Sequence, residues 1–227
     1  MKKIFNVATY KRDKYLFKTI DSVYNQADEI NIALNSHEEI PHNLLNDSKI
    51  NCFITDNSIG DGFKFYKLNE SDGYYFTIDD DLLYPPDYSD FLIEKFEHYG
   101  RKYIVTLHGR TFHQYPVQSY YRSPHHNNRC LGTVLNDVFV HFGGTGVMMF
   151  HTDLLKFPYH DILHPNMADI WMAKFANERN IKIVCLAHTD KYLGYQTEIG
   201  EDTIFDKNKF NDSIQTEITN KITFRQS

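Results

Sequence analysis

The alternation of apolar and amphipathic segments at the start of the chain limits it to few folds. Residues 4–9 form a short, apolar, β-prone run, and residues 15–26 carry apolar side chains at helical spacing. Residues 29–35 again alternate between apolar and polar side chains, as a half-buried strand does. A strand, a helix and a second strand in this order predict a βαβ unit, and such units build parallel α/β sheets.

The rest of the chain continues this pattern as far as residue 187. Further strands are predicted at residues 50–55, 74–78, 103–107, 138–140, 146–150 and 181–187, and further helices at residues 87–100 and 166–180. Residues 108–136 show no clear period and are expected to be a long loop region with at most one short strand. We therefore predict one α/β domain over residues 1–195 and a polar tail over residues 196–227 that is ordered only if it packs back.

Charge and cysteine content restrict the partners and the compartment. The sequence has 24 Lys and Arg against 30 Asp and Glu, a net charge of −6, so nucleic acid is not an expected partner. The odd number of cysteines, Cys52, Cys130 and Cys185, favours a reducing compartment over a disulfide framework. The sequence shows neither a signal peptide nor a transmembrane segment. We expect a cytoplasmic protein, and peripheral contact with a membrane stays compatible with the sequence.

Three consecutive carboxylates, Asp79, Asp80 and Asp81, follow an apolar predicted strand. Like charges this close raise one another's pKa and destabilise a fold unless a cation lies among them. Oxygen ligands favour a hard ion such as Mg²⁺ or Mn²⁺. If the chain stays extended, Asp79 and Asp81 point to one side and Asp80 to the other. The alternative is a solvated acidic turn.

The order of these motifs resembles the GT-A glycosyltransferases, specifically their family 2-like branch, over about residues 3–190. The matching features are Thr9-Tyr-Lys-Arg12 after the first strand, Asp56 after the third, Asp61-Gly62-Phe63-Lys64-Phe65, the D-x-D signature Asp79-Asp80-Asp81, the glycine-rich residues 142–146 and the helix bearing Asp169. The resemblance implies a single-domain GT-A fold, with a mixed, mainly parallel central sheet flanked by helices.

The resemblance also implies a site for a nucleotide-sugar donor. It places the base in a pocket formed by Thr9, Arg12 and Asp56, and it assigns the remaining nucleotide-sugar contacts to Lys64, Asp79 and Asp80. Asp81 would hold a divalent cation, Mn²⁺ or Mg²⁺, that bridges the diphosphate and stabilises the charge that develops as it leaves. Two alternatives stay open: Arg12 as an ordinary surface cation, and Asp56 as a residue that caps a turn.

Asp169 is the residue that the resemblance matches to the base of inverting family members, which deprotonates the acceptor hydroxyl. The alternative is structural, because Asn166 followed by Asp169 also fits a helix N-cap with a favourable charge in the first turn. The chain has Ala168-Asp169 where the family commonly has Glu-Asp. It also lacks the Gln-x-x-Arg-Trp of processive synthases, which argues for the addition of one sugar per encounter.

Two further positions complete the predicted site. His188 follows the last predicted strand, where many GT-A enzymes place an additional metal ligand, and the alternative is a structural or surface histidine. Gly143, Gly144 and Thr145 precede another strand without the spacing of a dinucleotide or P-loop motif. Close backbone approach to the donor sugar or the acceptor is the expected role of this loop, and a tight turn between strands is the alternative.

The sequence thus predicts a metal-dependent, inverting glycosyltransferase of the hexosyltransferase type. It would move one sugar from a nucleotide-diphosphate sugar, with a UDP-sugar favoured, to a hydroxyl of a glycan or glycoconjugate, a reaction used in surface polysaccharide synthesis. Two other classes stay open. A sugar nucleotidyltransferase would also use clustered carboxylates and a metal, and a degenerate GT-A domain would bind carbohydrate or nucleotide without transfer.

Overall fold

An eight-stranded mixed sheet forms the centre of the protein in the computed structural model, which describes residues 1–196 and 210–224. In sheet order the strands are β3 (Ile50–Thr55), β2 (Glu29–Asn35), β1 (Lys3–Thr9), β4 (Tyr74–Ile78), β11 (Val147–His151), β6 (Ile104–Thr106), β12 (Ile183–Cys185) and β9 (Val138–Val140). The pairs β3–β2, β2–β1, β1–β4 and β6–β12 are parallel, whereas β11 and β9 run antiparallel to their neighbours. The predicted α/β class is confirmed.

Four described helices accompany the sheet: α1 (Asp13–Tyr24), α2 (Tyr88–His98), α3 (Ala168–Glu178) and α4 (Ser213–Lys221). The sheet separates two apolar cores. Leu16 of α1 and Leu92 of α2 are buried in one core, and Ile170 of α3 and Ile218 of α4 are buried in the other. In the described part of the chain, no helix has the length and apolar character needed to cross a membrane.

The strand order places a crevice between β1 and β4. The connections from β1 to β2 and from β2 to β3 lead to one side of β1, and β4 then pairs with the other side of β1. Ligands of open α/β sheets bind where the strand order reverses in this way, beyond the carboxyl ends of the strands. Strand β11 is antiparallel to β4, with Val147 opposite Ile78, so its amino end lies at the same edge. Residues 142–146, the glycine loop, therefore reach that edge too.

A second sheet lies in the region expected to be a long loop. Strands β7 (Gly109–Phe112), β8 (His125–Asn128) and β10 (Phe142–Gly143) pair in the order β10-β7-β8. The expectation of at most one short strand in residues 108–136 is wrong, because β8 consists of His and Asn residues and pairs through its backbone without apolar alternation. Two short strands, β5 (Leu82–Leu83) and β13 (Gly194–Tyr195), form a separate pair.

The described part of the C-terminal segment packs back onto the domain. Ile218 and Ile222 are buried in the core beside α3, and α4 and the residue before it hold residues 115–121, the tyrosine loop. The Asn220 amide bonds both backbone groups of Val117, at 2.7 and 2.9 Å. Residues 197–209 and 225–227 of the predicted tail lie outside the described residues.

Candidate functional site

The ends of β1 and β4 bring Thr9, Arg12 and the three aspartates together at the crevice. The Thr9 hydroxyl donates to Asp80 Oδ2 at 2.6 Å. Arg12 Nη1 donates to Asp80 Oδ1 at 3.0 Å and to Asp81 Oδ2 at 3.2 Å. Asp80 is only 6% exposed, so its charge depends on these partners. Four of the predicted nucleotide-sugar and metal residues thus form one bonded cluster.

Asp79 has a cationic partner of its own, Lys64. The Lys64 ammonium forms an ion pair with Asp79 Oδ1 and is itself buried. β4 ends at Ile78 and the chain turns there, so the extended alternation assumed for Asp79, Asp80 and Asp81 does not apply. Asp79 nevertheless stays close enough to Asp81 for its charge to raise the pKa of Asp81.

Tyr84 and Gly146 hold the turn after β4 against the glycine loop. The Asp79 N–H donates to the Tyr84 hydroxyl at 2.9 Å, and this hydroxyl donates to the Gly146 carbonyl at 2.6 Å. A Cβ on Gly146 would lie 1.9 Å from Asp79 Oδ2. Only glycine therefore fits at this position while Asp79 stays in place.

The carboxylates of the cluster retain an excess of negative charge. Burial raises the pKa of Asp80, and Arg12 only partly offsets this. Burial, followed by the charges of Asp79 and Asp80, raises the pKa of Asp81 to about 6. No group of three or more potential metal ligands occurs among the described residues. Asp80 and Asp81 would suit a hard divalent cation that takes one or two carboxylates from the protein and its other ligands from phosphate and water.

Asp169 lies on the far side of the same crevice, in the first turn of α3. Its Oδ1 accepts hydrogen bonds from the Thr145 N–H and the Thr145 hydroxyl, both at 2.7 Å. No described donor bonds its Oδ2. The structure does not place Asn166 as the N-cap, because Met167 occupies that position and Asn166 has a φ of 58°. Asp169 is therefore tied to the glycine loop.

Asp61 anchors the start of α3 and was not assigned a role from the sequence. It lies in a 3₁₀ turn, Gly60–Phe65, and its Oδ1 accepts the Ala168 N–H at 3.2 Å. Burial raises the pKa of Asp61 to about 7; Lys64 lowers it, and Asp169 and Asp79 raise it. Asp61 thus binds its proton far more tightly than an ordinary aspartate does.

This shift predicts a pH-dependent stability difference between the wild type and Asp61→Asn. The pKa of Asp61 in the folded state lies above its ordinary value of 3.8, so wild-type stability relative to the variant falls as the pH rises from about 4 to about 7. Between pH 4.5 and pH 8 this shift changes the relative stability by about 3 kcal/mol, so thermal unfolding should give similar Tm values at pH 4.5 and a Tm higher by roughly 6–12 °C for the variant at pH 8. Equal Tm values at pH 8 would contradict the shift.

A cleft of about 570 Å³ is lined by Asp79 and Asp169 but not by Thr9, Arg12, Asp80 or Asp81. One side carries Lys64, Asp79, Asp61 and Asp169, and the opposite side is formed by residues that include His108, Arg110, Tyr120, Asn127 and Arg129. Gly144 allows this close packing, because a Cβ there would lie 2.7 Å from His108 Cβ. Gly143 likewise allows close packing against Ile183, because a Cβ on Gly143 would lie 2.7 Å from Ile183 Cγ2.

Two predicted residues have other contacts. Asp56 is exposed, and its Oδ1 accepts the Ser58 N–H at 2.9 Å, an arrangement typical of a capped turn. The hydrogen bonds from Ser58 lower its pKa. The ring nitrogens of His188 contact the carbonyls of Leu186 at 2.7 Å and Arg129 at 3.2 Å, and no described hydrogen bond joins His188 to Asp81. The nucleotide and metal roles of these two residues stay predictions.

The basic side of the cleft was missed because it comes from the aperiodic region of the sequence. His108, Arg110, Asn127 and Arg129 lie at or beside β7 and β8, whose polar residues hide the strand pattern. The available signal was the run of cationic and aromatic residues in a chain of net charge −6. Only the pairing of β7 with β8 brings these residues to one cleft.

The chain matches no protein-family model, and no curated protein shows detectable similarity to it.

Proposed function

We propose that the chain is a metal-dependent, inverting glycosyltransferase with a GT-A fold of the family 2-like type. The proposed reaction transfers one sugar from a UDP-sugar to a hydroxyl of a glycan or glycoconjugate, as in surface polysaccharide synthesis. The mixed α/β sheet and its crevice between β1 and β4 agree with this proposal.

One observation carries the proposal. The cluster of Thr9, Arg12, Asp80 and Asp81 and the carboxylate of Asp169 are joined through Asp79 and the glycine loop. A phosphate-and-cation site and a separate carboxylate next to it are the two parts that sugar transfer requires, one for the leaving group and one for the acceptor.

In the proposed donor half, Asp81 would hold the divalent cation together with oxygens of the diphosphate. When bound, this ion supplies positive charge against the leaving diphosphate. Asp80 is held by Thr9 and Arg12 for contact with the donor. The buried ammonium of Lys64 adds positive charge, because Asp79 and Asp61 outweigh the effect of burial and keep its pKa above the ordinary value.

In the proposed acceptor half, Asp169 acts as general base. Its Oδ2 takes the proton of the acceptor hydroxyl while the hydroxyl oxygen forms a bond to the anomeric carbon. The bond from that carbon to the diphosphate breaks on the opposite face, and the nucleoside diphosphate leaves with the electron pair. Attack from the opposite face inverts the anomeric centre. The two Thr145 hydrogen bonds orient the base through its other oxygen.

Nucleotide binding tests the donor half. Titration calorimetry with UDP, GDP, CDP and CMP should show tight binding of UDP with Mn²⁺ or Mg²⁺ and weak binding with EDTA. Asp81→Ala should lower the metal-dependent UDP affinity by at least about tenfold, since it removes a charged ligand. The matched control is Asp153→Ala, because the Asp153 side chain is 83% exposed and its one described ion pair is with His151.

Three outcomes separate the alternatives. Binding of no nucleotide under any condition would overturn the proposal. Equal UDP affinity of the wild type and Asp81→Ala would remove the assigned cation site. Formation of a nucleotide sugar and pyrophosphate from a nucleoside triphosphate and a sugar phosphate would indicate a nucleotidyltransferase instead.

A further inference from the structure

The cleft wall opposite the acidic residues contains two guanidinium groups that have no carboxylate partner among the described residues. Arg110 Nη1 donates to the Tyr120 carbonyl at 2.7 Å, and the guanidinium lies 4.5 Å from the Tyr120 ring centroid. Arg129 is exposed at the end of β8. Within residues 1–196 and 210–224, neither arginine forms an ion pair. In a chain of net charge −6, two such cations in one cleft point to an anionic ligand.

A neutral polar group lies beside them. Arg110 and Asn127 are directly opposite each other on β7 and β8, so their side chains share one face of the second sheet. Asn127 Oδ1 is buried without a hydrogen-bond donor among the described residues. Such a group is costly to bury unless a ligand supplies its partner, and a sugar hydroxyl can donate to it.

His108 does not supply a third cation. The Cys130 N–H donates to its Nδ1 at 3.3 Å, which leaves the proton of the neutral ring on Nε2. Burial lowers the pKa of His108, and Arg110 and Arg129 lower it further, while Asp169 and Asp79 act in the opposite direction. Arg110 and Arg129 therefore carry the positive charge of this wall.

We infer that the acceptor is an acidic saccharide whose carboxylate or phosphate is bound by Arg110 and Arg129 close to the hydroxyl that receives the sugar. This inference rests on the proposed function. Arginine suits the task, since its planar fork matches both oxyanions. Tyr120 and Tyr121 also line the cleft, and the buried ring of Tyr120 packs against Arg110. Arg12 and Lys64 are the cations of the donor half, and each is paired with an aspartate there, unlike Arg110 and Arg129 in the described part of the chain.

Paired sugars test the inference. The protein, saturated with UDP and MnCl₂, is titrated with galacturonic acid and galactose, and with glucose 1-phosphate and glucose. At least one acid should bind about tenfold or more tightly than its neutral partner, and Arg110→Gln and Arg129→Gln should each reduce that preference to about threefold or less. A preference for galacturonic acid would indicate that the arginines bind a carboxylate, and a preference for glucose 1-phosphate would indicate a phosphate. Arg101→Gln is the matched control, because Arg101 pairs with Glu97 away from the cleft and the variant should keep the full preference.

UDP affinity, measured on the same variants, separates the two proposals. If the wild type binds no UDP, the proposed function fails and the inference fails with it. If UDP binds but neither acid is preferred, or the preference survives both substitutions, only the inference fails. If the variants lose UDP affinity and acid affinity equally, the arginines bind the diphosphate, and the inference of an acidic acceptor is wrong. Arg129→Gln keeps the test valid if Arg110→Gln unfolds the protein, since Arg129 is exposed.

Discussion

Asp169→Asn is expected to lower kcat by about 10²–10⁴-fold, because the amide cannot take the proton of the acceptor hydroxyl. The fold should tolerate the change, since an amide oxygen can still accept both hydrogen bonds from Thr145. UDP affinity should stay within about twofold, because Asp169 bonds none of the cluster at Asp80 and Asp81. The measurement is UDP release from a UDP-sugar with the best acceptor found for the wild type, together with calorimetry for UDP.

Two further variants make this prediction decisive. Asp153→Asn, at an exposed site, should leave kcat unchanged. Asp61 is the rival base in the same cleft, and a larger loss of kcat with Asp61→Asn than with Asp169→Asn would transfer the role to it. A loss of less than tenfold in Asp169→Asn would show that Asp169 serves only to hold the glycine loop.

Lys64→Met is expected to cause the largest loss of stability, about 2–4 kcal/mol in the free energy of unfolding. Removing one partner of a buried ion pair costs about 3–5 kcal/mol, because the other charge is left without compensation. The Lys64 side chain is 3% exposed, but that of Asp79 is 45% exposed and is partly solvated by water, which reduces the cost. Urea unfolding with an unchanged m-value measures the difference.

Lys67→Met is the matched control for this loss. Lys67 lies one turn further along the chain and pairs with Glu70 at 2.7 Å on the surface. Such pairs contribute about 0–1 kcal/mol, so the control should unfold close to the wild type. Adding Asp79→Asn to Lys64→Met should recover part of the stability, as expected for coupled neighbours. If the double variant recovers nothing, the energetic link between Lys64 and Asp79 is wrong.

The α/β class and much of the central sheet could be predicted from the sequence because apolar periodicity is strong there. Strands β2, β3, β4 and β9 have the predicted bounds, and β1 begins one residue earlier than predicted. Strands β1, β2 and β4 bury apolar side chains, so local pattern and tertiary position agree there, whereas β3 and β9 are edge strands with mostly half-buried or exposed side chains. The end of β4 at Ile78 was predicted, but the turn that follows it was not, since three consecutive aspartates do not fix the path of the backbone beyond the strand.

The candidate site could be predicted only on its acidic side. Asp79, Asp80 and Asp81 stand together in the sequence, and Thr9 and Arg12 follow a strong strand. On the opposite wall, Arg110 and Asn127 face each other because β7 pairs with β8. The register of these two polar strands depends on backbone pairing, and their side-chain pattern does not reveal it. Asp61 was missed as an anchor because its partner, the Ala168 N–H, lies 107 positions away in the chain.

Helix α4 and Asp212 hold the tyrosine loop through its backbone. Asn220 bonds the Val117 backbone, Thr216 Oγ1 accepts the Tyr120 N–H at 2.9 Å, and Asp212 accepts the Tyr121 N–H at 2.9 Å. These anchors contact main-chain atoms, which every residue but proline offers. Val117 and Tyr120 are buried in the core, which restricts changes at those positions, whereas Tyr121 is half-buried and lines the cleft. A change at Tyr121 would therefore alter what the cleft recognises while the backbone anchors keep the path of the loop.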